Sequence, residues 1–267
     1  MIELVAPLRF SLEALSTLFA RSFEGYFLPF PDDPVRLDYL LRCEGVSLVH
    51  SRVALDGGAP VGVALLARRG ATERVAAMGI CASHRGRGIG RMLLARLQEE
   101  AAARGVERMI LEVIDVNEPA LRLYERLGFA RVRRLRGYEG SIEGVAAPLE
   151  PCPIESVAAL LPPDLPWQAA PATIANLALP NTAYRLGGAR AVVAVDGEVV
   201  RLRALAVEPG ARGTGAAGRL LRALAAAHPG RAWQVGAFVP EGAIERTLLG
   251  AGLRHGRFSQ WEMEWWR

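Results

Sequence analysis

One segment occurs twice in this 267-residue chain, and the repeat limits the possible architectures more than any other feature. Residues 79–90 align without a gap on residues 206–217, an offset of 127 (206 minus 79). Each segment follows a β-like run and holds a glycine-rich turn. Each precedes an amphipathic helix: Ile89, Met92, Leu93, Leu97 and Ala101 share one face in the first copy, and Ala217, Leu220, Leu221 and Leu224 in the second. The flanks repeat too. Strand candidates 46–55 and 61–67 are joined through Asp56-Gly57-Gly58, and 189–195 and 198–205 around Asp196-Gly197. A β-like run, a short helix and then Gly128-Phe129 or Gly252-Leu253 close each copy. The chain therefore reads as two copies of one α/β unit. The expected division is 1–140, a Gly/Pro/Ala-rich linker at 141–153, and 154–267.

Composition narrows the class. A hydrophobic fraction of 51% with 22% charged residues fits packed globular units. No apolar run reaches the ~18 residues that span a bilayer, and the first residues lack the pattern of a secretory signal. Cys43, Cys81 and Cys152 are widely spaced, which argues against a zinc site or a disulfide framework and for a reducing cytoplasm. The net charge of +4 comes with no basic block interleaved with aromatics, so neither nucleic acid nor membrane is expected as a partner. All 32 basic residues are arginine, so no lysine side chain can act as a base.

The turn Arg85-Gly86-Arg87-Gly88-Ile89-Gly90 has the chemistry of an anion site. Its glycines permit a tight turn and close approach of a ligand. Free N–H groups at the following helix start attract negative charge, and Arg85 and Arg87 add to it. A pyrophosphate is the natural occupant. The turn matches neither the dinucleotide fingerprint, whose third glycine would fall at Arg91, nor the P-loop. Downstream, Asn117 is placed to cap a helix, Pro119 to sit in its first turn and Gly128 to end it. Ala120 and Tyr124 share a face of that helix.

Together these segments resemble the GCN5-related N-acetyltransferase (GNAT) superfamily. Arg85-x-x-Gly88-x-Gly90 matches its loop signature. Asn117, Ala120, Tyr124, Gly128 and Phe129 match its downstream pattern. The resemblance covers residues 1–138 and implies an α/β (α+β) fold: two tandem acyl-CoA N-acyltransferase units, each a mixed, mostly antiparallel sheet flanked by helices. It implies acetyl-CoA as cosubstrate, with no metal, and direct transfer of the acetyl group to an amine. The loop from Arg85 through Gly86, Arg87, Gly88 and Ile89 to Gly90 would hold the pyrophosphate. Met78, Gly79 and Ile80 would pair with the pantetheine arm, Asn117 and Tyr124 would lie beside the coenzyme, and Tyr124 would protonate the leaving thiolate.

Glu112, on the strand after the loop helix, is the leading candidate for general base, with Glu24 behind it. Phe23, Tyr26, Phe27 and Phe30 read either as core or as an acceptor pocket. In the second copy, Arg212-x-x-Gly215-x-Ala217 keeps the loop, but Leu248 stands at the tyrosine position, so that copy reads as catalytically degenerate. A small-molecule amine is the expected acceptor, with an acyl-CoA-binding regulator or a protein acetyltransferase as alternatives. The two copies would form a pseudo-dimeric monomer or a homodimer. The aromatic C-terminal segment, residues 258–266, is expected to close a sheet or the interface between the copies.

Overall fold

The computed structural model describes residues 1–28 and 30–267. They form two compact units, Met1–Val132 with Glu262–Arg267, and Arg133–Trp261. The first contains β1 (Ile2–Val5), α1 (Leu12–Ser22), α2 (Pro34–Glu44), β2 (Arg52–Asp56), β3 (Ala59–Arg69), β4 (Thr72–Ile80), α3 (Ile89–Ala103), β5 (Arg108–Ile114), α4 (Glu118–Arg126) and the start of β6 (Ala130–Gly140). The second holds the rest of β6, then β7 (Glu150–Pro151), α5 (Ile154–Ala158), α6 (Pro171–Ala175), β8 (Asn181–Leu186), β9 (Ala189–Asp196), β10 (Val199–Val207), α7 (Ala216–Ala227), β11 (Ala232–Pro240), α8 (Glu245–Gly250) and most of β12 (Leu253–Trp266).

In the first unit the strands run β1-β2-β3-β4-β5, and the end of β12 lies beside β5. Pairing is antiparallel from β1 to β4 and parallel between β4 and β5. In the second unit the order is β12-β6-β11-β10-β9-β8-β7, with β10 and β11 parallel. Each sheet is thus mixed and mostly antiparallel, with helices packed on it.

The sequence repeat is a structural repeat. A β-bulge interrupts β4 between Val75 and Ala77, and another interrupts β10 between Leu202 and Ala204, at the same 127-residue offset. The parallel register ends at Val75–Leu111 in one unit and at Leu202–Val235 in the other. Beyond those pairs the two central strands part.

Local chemistry explains most elements. Ser11 Oγ accepts from the Ala14 N–H and starts α1. Asp33 caps α2, with Pro34 in its first turn. Gly57 and Gly58 take φ of +56° and +83° in the β2–β3 turn, a conformation suited to a tight hairpin. Apolar faces then collapse: Leu93, Leu94, Leu97 and Ala101 of α3 are fully buried, as are Leu220, Leu221 and Leu224 of α7.

Three expectations change. Met92, assigned to the buried face of α3, is 43% exposed. Residues 46–51 are not strand. Val46 makes one isolated bridge to Ala67, and the chain then turns where His50 and Ser51 N–H groups bond Ser47 O. The division between units falls after Val132, not after residue 140, and the supposed linker is packed. Ile142 is 8% exposed, Val145 N–H donates to Arg222 O at 3.1 Å, and Gly144 lies where a Cβ would meet Ala226 at 2.7 Å. The Gly/Ala-rich composition that suggested a free linker serves close packing instead.

Candidate active site

The loop is built for an anion. Gly86 and Gly88 take φ of +77° and +79°, and a Cβ at either would meet no atom within 4 Å, so their surface is open. Gly88 caps α3 with no side-chain bond, leaving first-turn N–H groups for a ligand. A Cβ at Gly90 would sit 3.4 Å from Leu123 Cδ2, close to ordinary contact.

Arg85 does not extend into that space. Its Nε donates to Ile80 O at 2.9 Å, and its Nη2 to Ser22 O at 3.2 Å and Glu24 O at 2.6 Å. It clamps the loop to β4 and to the end of α1. Arg87 is 59% exposed and only 3.9 Å from Asp56, so its charge remains beside the loop. His84 also lies against Asp56, at 3.5 Å.

The free edge of β4 follows from register. Cys81 N–H donates to Val61 O, and Ile80 and Met78 stand opposite Gly62 and Ala64. Alternation in an antiparallel ladder therefore turns the backbone groups of Met78 and Ile80 away from β3. They face the gap where β5 has parted from β4. Gly79 is required by packing, since a Cβ would lie 2.9 Å from both the Phe23 ring and Ser22 Cβ. Gly79→Val should cost about 1–3 kcal/mol through overpacking; an unchanged denaturant midpoint would show that α1 can simply move away.

Tyr124 lies on α4, 7% exposed, its ring 6.1 Å from that of Phe129. Its hydroxyl makes no hydrogen bond among the described residues. Burial, and secondarily Tyr26, pushes its phenol well above the ordinary value, so it stays protonated. Asn117 caps α4 by accepting from Ala120 N–H at 3.4 Å, and its side chain offsets part of the upward pull of burial on the Tyr26 phenol.

Glu112 is not an open base. Its Oε2 receives Arg74 Nε at 2.7 Å, and Arg74 also reaches Glu44 at 2.7 Å. The Glu112 and Arg74 side chains are 4% and 3% exposed. Burial raises the Glu112 carboxyl above its usual range against the pull of Arg74. Sequence position alone could not separate a carboxylate lining the gap from one locked in a buried ion pair.

The aromatic segment forms a recess as well as core. Phe23 stacks against Phe19, Tyr26 and Phe30 with centroids 4.7, 5.3 and 6.0 Å away. Phe23, Tyr26 and Phe30, with Thr17, Arg21, Glu24 and Asp32, line a cavity of about 520 Å³. Ser16 and Thr17 donate to Asp32 and hold its carboxyl below the usual range. Glu24 is exposed at this recess. Among the described residues, no cluster of three or more His, Cys, Asp or Glu could hold a metal, and no helix is long and apolar enough to cross a membrane.

A glycine cradle ahead of a helix, a parted pair of parallel strands and a buried tyrosine on the following helix define an acyl-CoA N-acyltransferase fold. The family described as "Acetyltransferase (GNAT) family" matches residues 12–129, within the first unit. Streptothricin acetyltransferase of Streptomyces lavendulae is 45% identical over 51 residues, which cover 19% of this chain and 27% of that protein. N-alpha-acetyltransferase 30 of Schizosaccharomyces pombe is 37% identical over 93 residues, covering 33% of this chain and 62% of that one. The chain thus spans about a quarter to three fifths of the length of these relatives. A solved tandem GNAT protein from the clavulanic acid biosynthesis pathway shares the fold of the whole chain. Its TM-score is 0.70 at 17% identity, covering 100% of this chain and 98% of that one.

Proposed function

We propose that the first unit transfers the acetyl group of acetyl-CoA to a primary amine by direct attack. Three observations support this reading: the open loop at Gly86 and Gly88, the free backbone edge at Met78 and Ile80, and the buried Tyr124 on the helix after β5. Loop N–H groups and Arg87 take the pyrophosphate. The backbone of Met78 and Ile80 lines the pantetheine arm. The Ile80 N–H donates to the thioester oxygen as charge builds there.

Amine nitrogen attacks the carbonyl carbon, the carbon–sulfur bond breaks, and Tyr124 hydrogen-bonds the departing sulfur and supplies its proton. A thiol near pKa ~8.5 is more acidic than this buried phenol, so the proton moves late, as the amine's own proton leaves. With Glu112 locked to Arg74, the amine's proton passes to water in the open recess, where Glu24 stands, and water returns a proton to the Tyr124 phenolate. The rate then rises with pH as the amine loses its proton, and no fall sets in near pH ~10, since Tyr124 remains protonated. A descending limb there would contradict the assignment.

The acceptor is read as a small cationic amine. Glu24 and Asp32 beside Phe23, Tyr26 and Phe30 offer carboxylates and ring faces to a positive group. The relatives' names divide between a small-molecule and a protein N-terminal acceptor, so a protein α-amine is the second reading. Thiol release measured with small polyamines, amino-sugar amines and short peptides decides between them. Turnover of a peptide N-terminus alone would favour the second reading, and no turnover with any amine would leave a coenzyme-binding protein. Gly88→Glu, which places bulk and negative charge at the pyrophosphate, should remove turnover; wild-type rates would take the loop out of the site.

A further inference from the structure

The Arg85 side chain joins two segments of the first unit. Its Nε holds Ile80 O on β4, and its Nη2 holds Ser22 O and Glu24 O at the end of α1. Ser22 is the last residue of that helix. The final carbonyls of a helix lack partners within it and carry the negative end of its dipole, so a guanidinium suits them as donor. The chain that follows supplies Phe23, Glu24, Gly25 and Tyr26 to the wall of the recess. Its own backbone bonds are local: Glu24 N–H to Arg21 O at 3.4 Å and Tyr26 N–H to Phe23 O at 3.0 Å. The Phe23 ring packs over Gly79, and Arg85 adds a polar tie to the same strand.

The second unit shows what the loop needs for its own folding. Gly213 and Gly215 take φ of +77° and +79°, the values of Gly86 and Gly88. Arg212 Nε donates to Val207 O at 3.2 Å, as Arg85 does to Ile80 O. The Arg212 side chain makes no second hydrogen bond among the described residues. One bond from the arginine therefore accompanies a fully formed turn. The two further bonds of Arg85 are more than the turn requires, and they belong to the unit that keeps the tyrosine. Leu248 stands at that position in the other.

We propose that Arg85 is a positioning residue for the acceptor: its guanidinium holds residues 22–26 against β4, which keeps the recess wall in a fixed place relative to the thioester carbonyl at Ile80. That the recess takes the amine rests on the proposed acetyl transfer; the tie between the two segments does not. Arginine fits the task because its planar fork donates from Nε and Nη2 in different directions. A lysine ammonium is a single point charge on a flexible stem and holds such separated carbonyls less firmly.

Hydrogen exchange of the full chain tests the tie by comparing the wild type with Arg85→Met, which keeps an unbranched stem and loses every donor. Amides of residues 23–28 should exchange at least ~10-fold faster in the variant, while those of α3 keep their protection. Unchanged exchange at 23–28 overturns the proposal. Equal loss of protection through α3 also overturns it, by making Arg85 a folding residue of the loop. In calorimetry the variant should bind acetyl-CoA within a few-fold of wild type; a collapse of that affinity would make Arg85 a coenzyme ligand instead. With the amine that the wild type accepts, kcat/KM for the amine should fall about 10-fold, KM for acetyl-CoA should hold, and Arg85→Lys should recover part of the loss. Unchanged kcat/KM for the amine overturns the role toward the acceptor. If the wild type neither binds acetyl-CoA nor acetylates an amine, the reading of the first unit fails, and the exchange data still decide whether Arg85 holds the segment.

Discussion

Tyr124→Phe should lower kcat by about 10²–10⁴-fold while leaving acetyl-CoA affinity within a few-fold, the range expected when a positioned proton donor is lost. The substitution removes one oxygen and keeps the ring that packs near Phe129. The hydroxyl has no protein hydrogen bond among the described residues, so its loss breaks no structural contact and leaves no partner orphaned. Any large effect must then arise in the reaction. The expected pattern is a fall in kcat and kcat/KM together, the mark of an interaction made only in the transition state. An unchanged kcat with an accepted amine would remove Tyr124 from the chemistry.

Arg74→Met should destabilise the first unit by about 3–5 kcal/mol, because it strands buried carboxylates without their counter-charge. Arg74 lies between Glu44 and Glu112, and Glu262 contributes to the same electrostatic cluster. Glu262 is 1% exposed, at the point where β12 joins the first unit. The loss should shrink as pH falls. Protonating Glu112, whose carboxyl burial already raises, removes the unpaired charge, so the penalty is full above that carboxyl's pKa and relieved below it. Denaturant unfolding at two pH values measures this. A loss under about 1 kcal/mol, independent of pH, would show that water reaches the cluster. A much milder cost for Glu112→Gln, which keeps Arg74 paired with Glu44, would fit the same picture.

Much of this was legible in the residues because the repeat ties two distant segments to one geometry. Gly86, Gly88, Gly213 and Gly215 read as turn glycines from sequence and all four adopt the left-handed conformation. Ser11, Pro34, Asn117 and Gly128 marked helix ends that the chain uses. What could not be read depends on contacts between segments far apart. The bonds from Arg85 to the carbonyls of Ser22 and Glu24, which tie the loop to α1, have no sign in the local sequence. Glu112 looks like a base until Arg74 is found 2.7 Å away. The unit boundary also eluded sequence. Residues 262–266 pair beside β5 through long-range contacts such as Arg108 Nη2 to Glu264 at 2.6 Å, which no local propensity encodes.

The most direct test is a crystal structure of the chain with acetyl-CoA. The pyrophosphate is expected on the N–H groups of residues 86–91 and the pantetheine arm along Met78 and Ile80. The sulfur should lie within hydrogen-bond reach of the Tyr124 hydroxyl. A coenzyme bound with its thioester remote from Tyr124, or absent from the loop at Gly86 and Gly88, would contradict this placement.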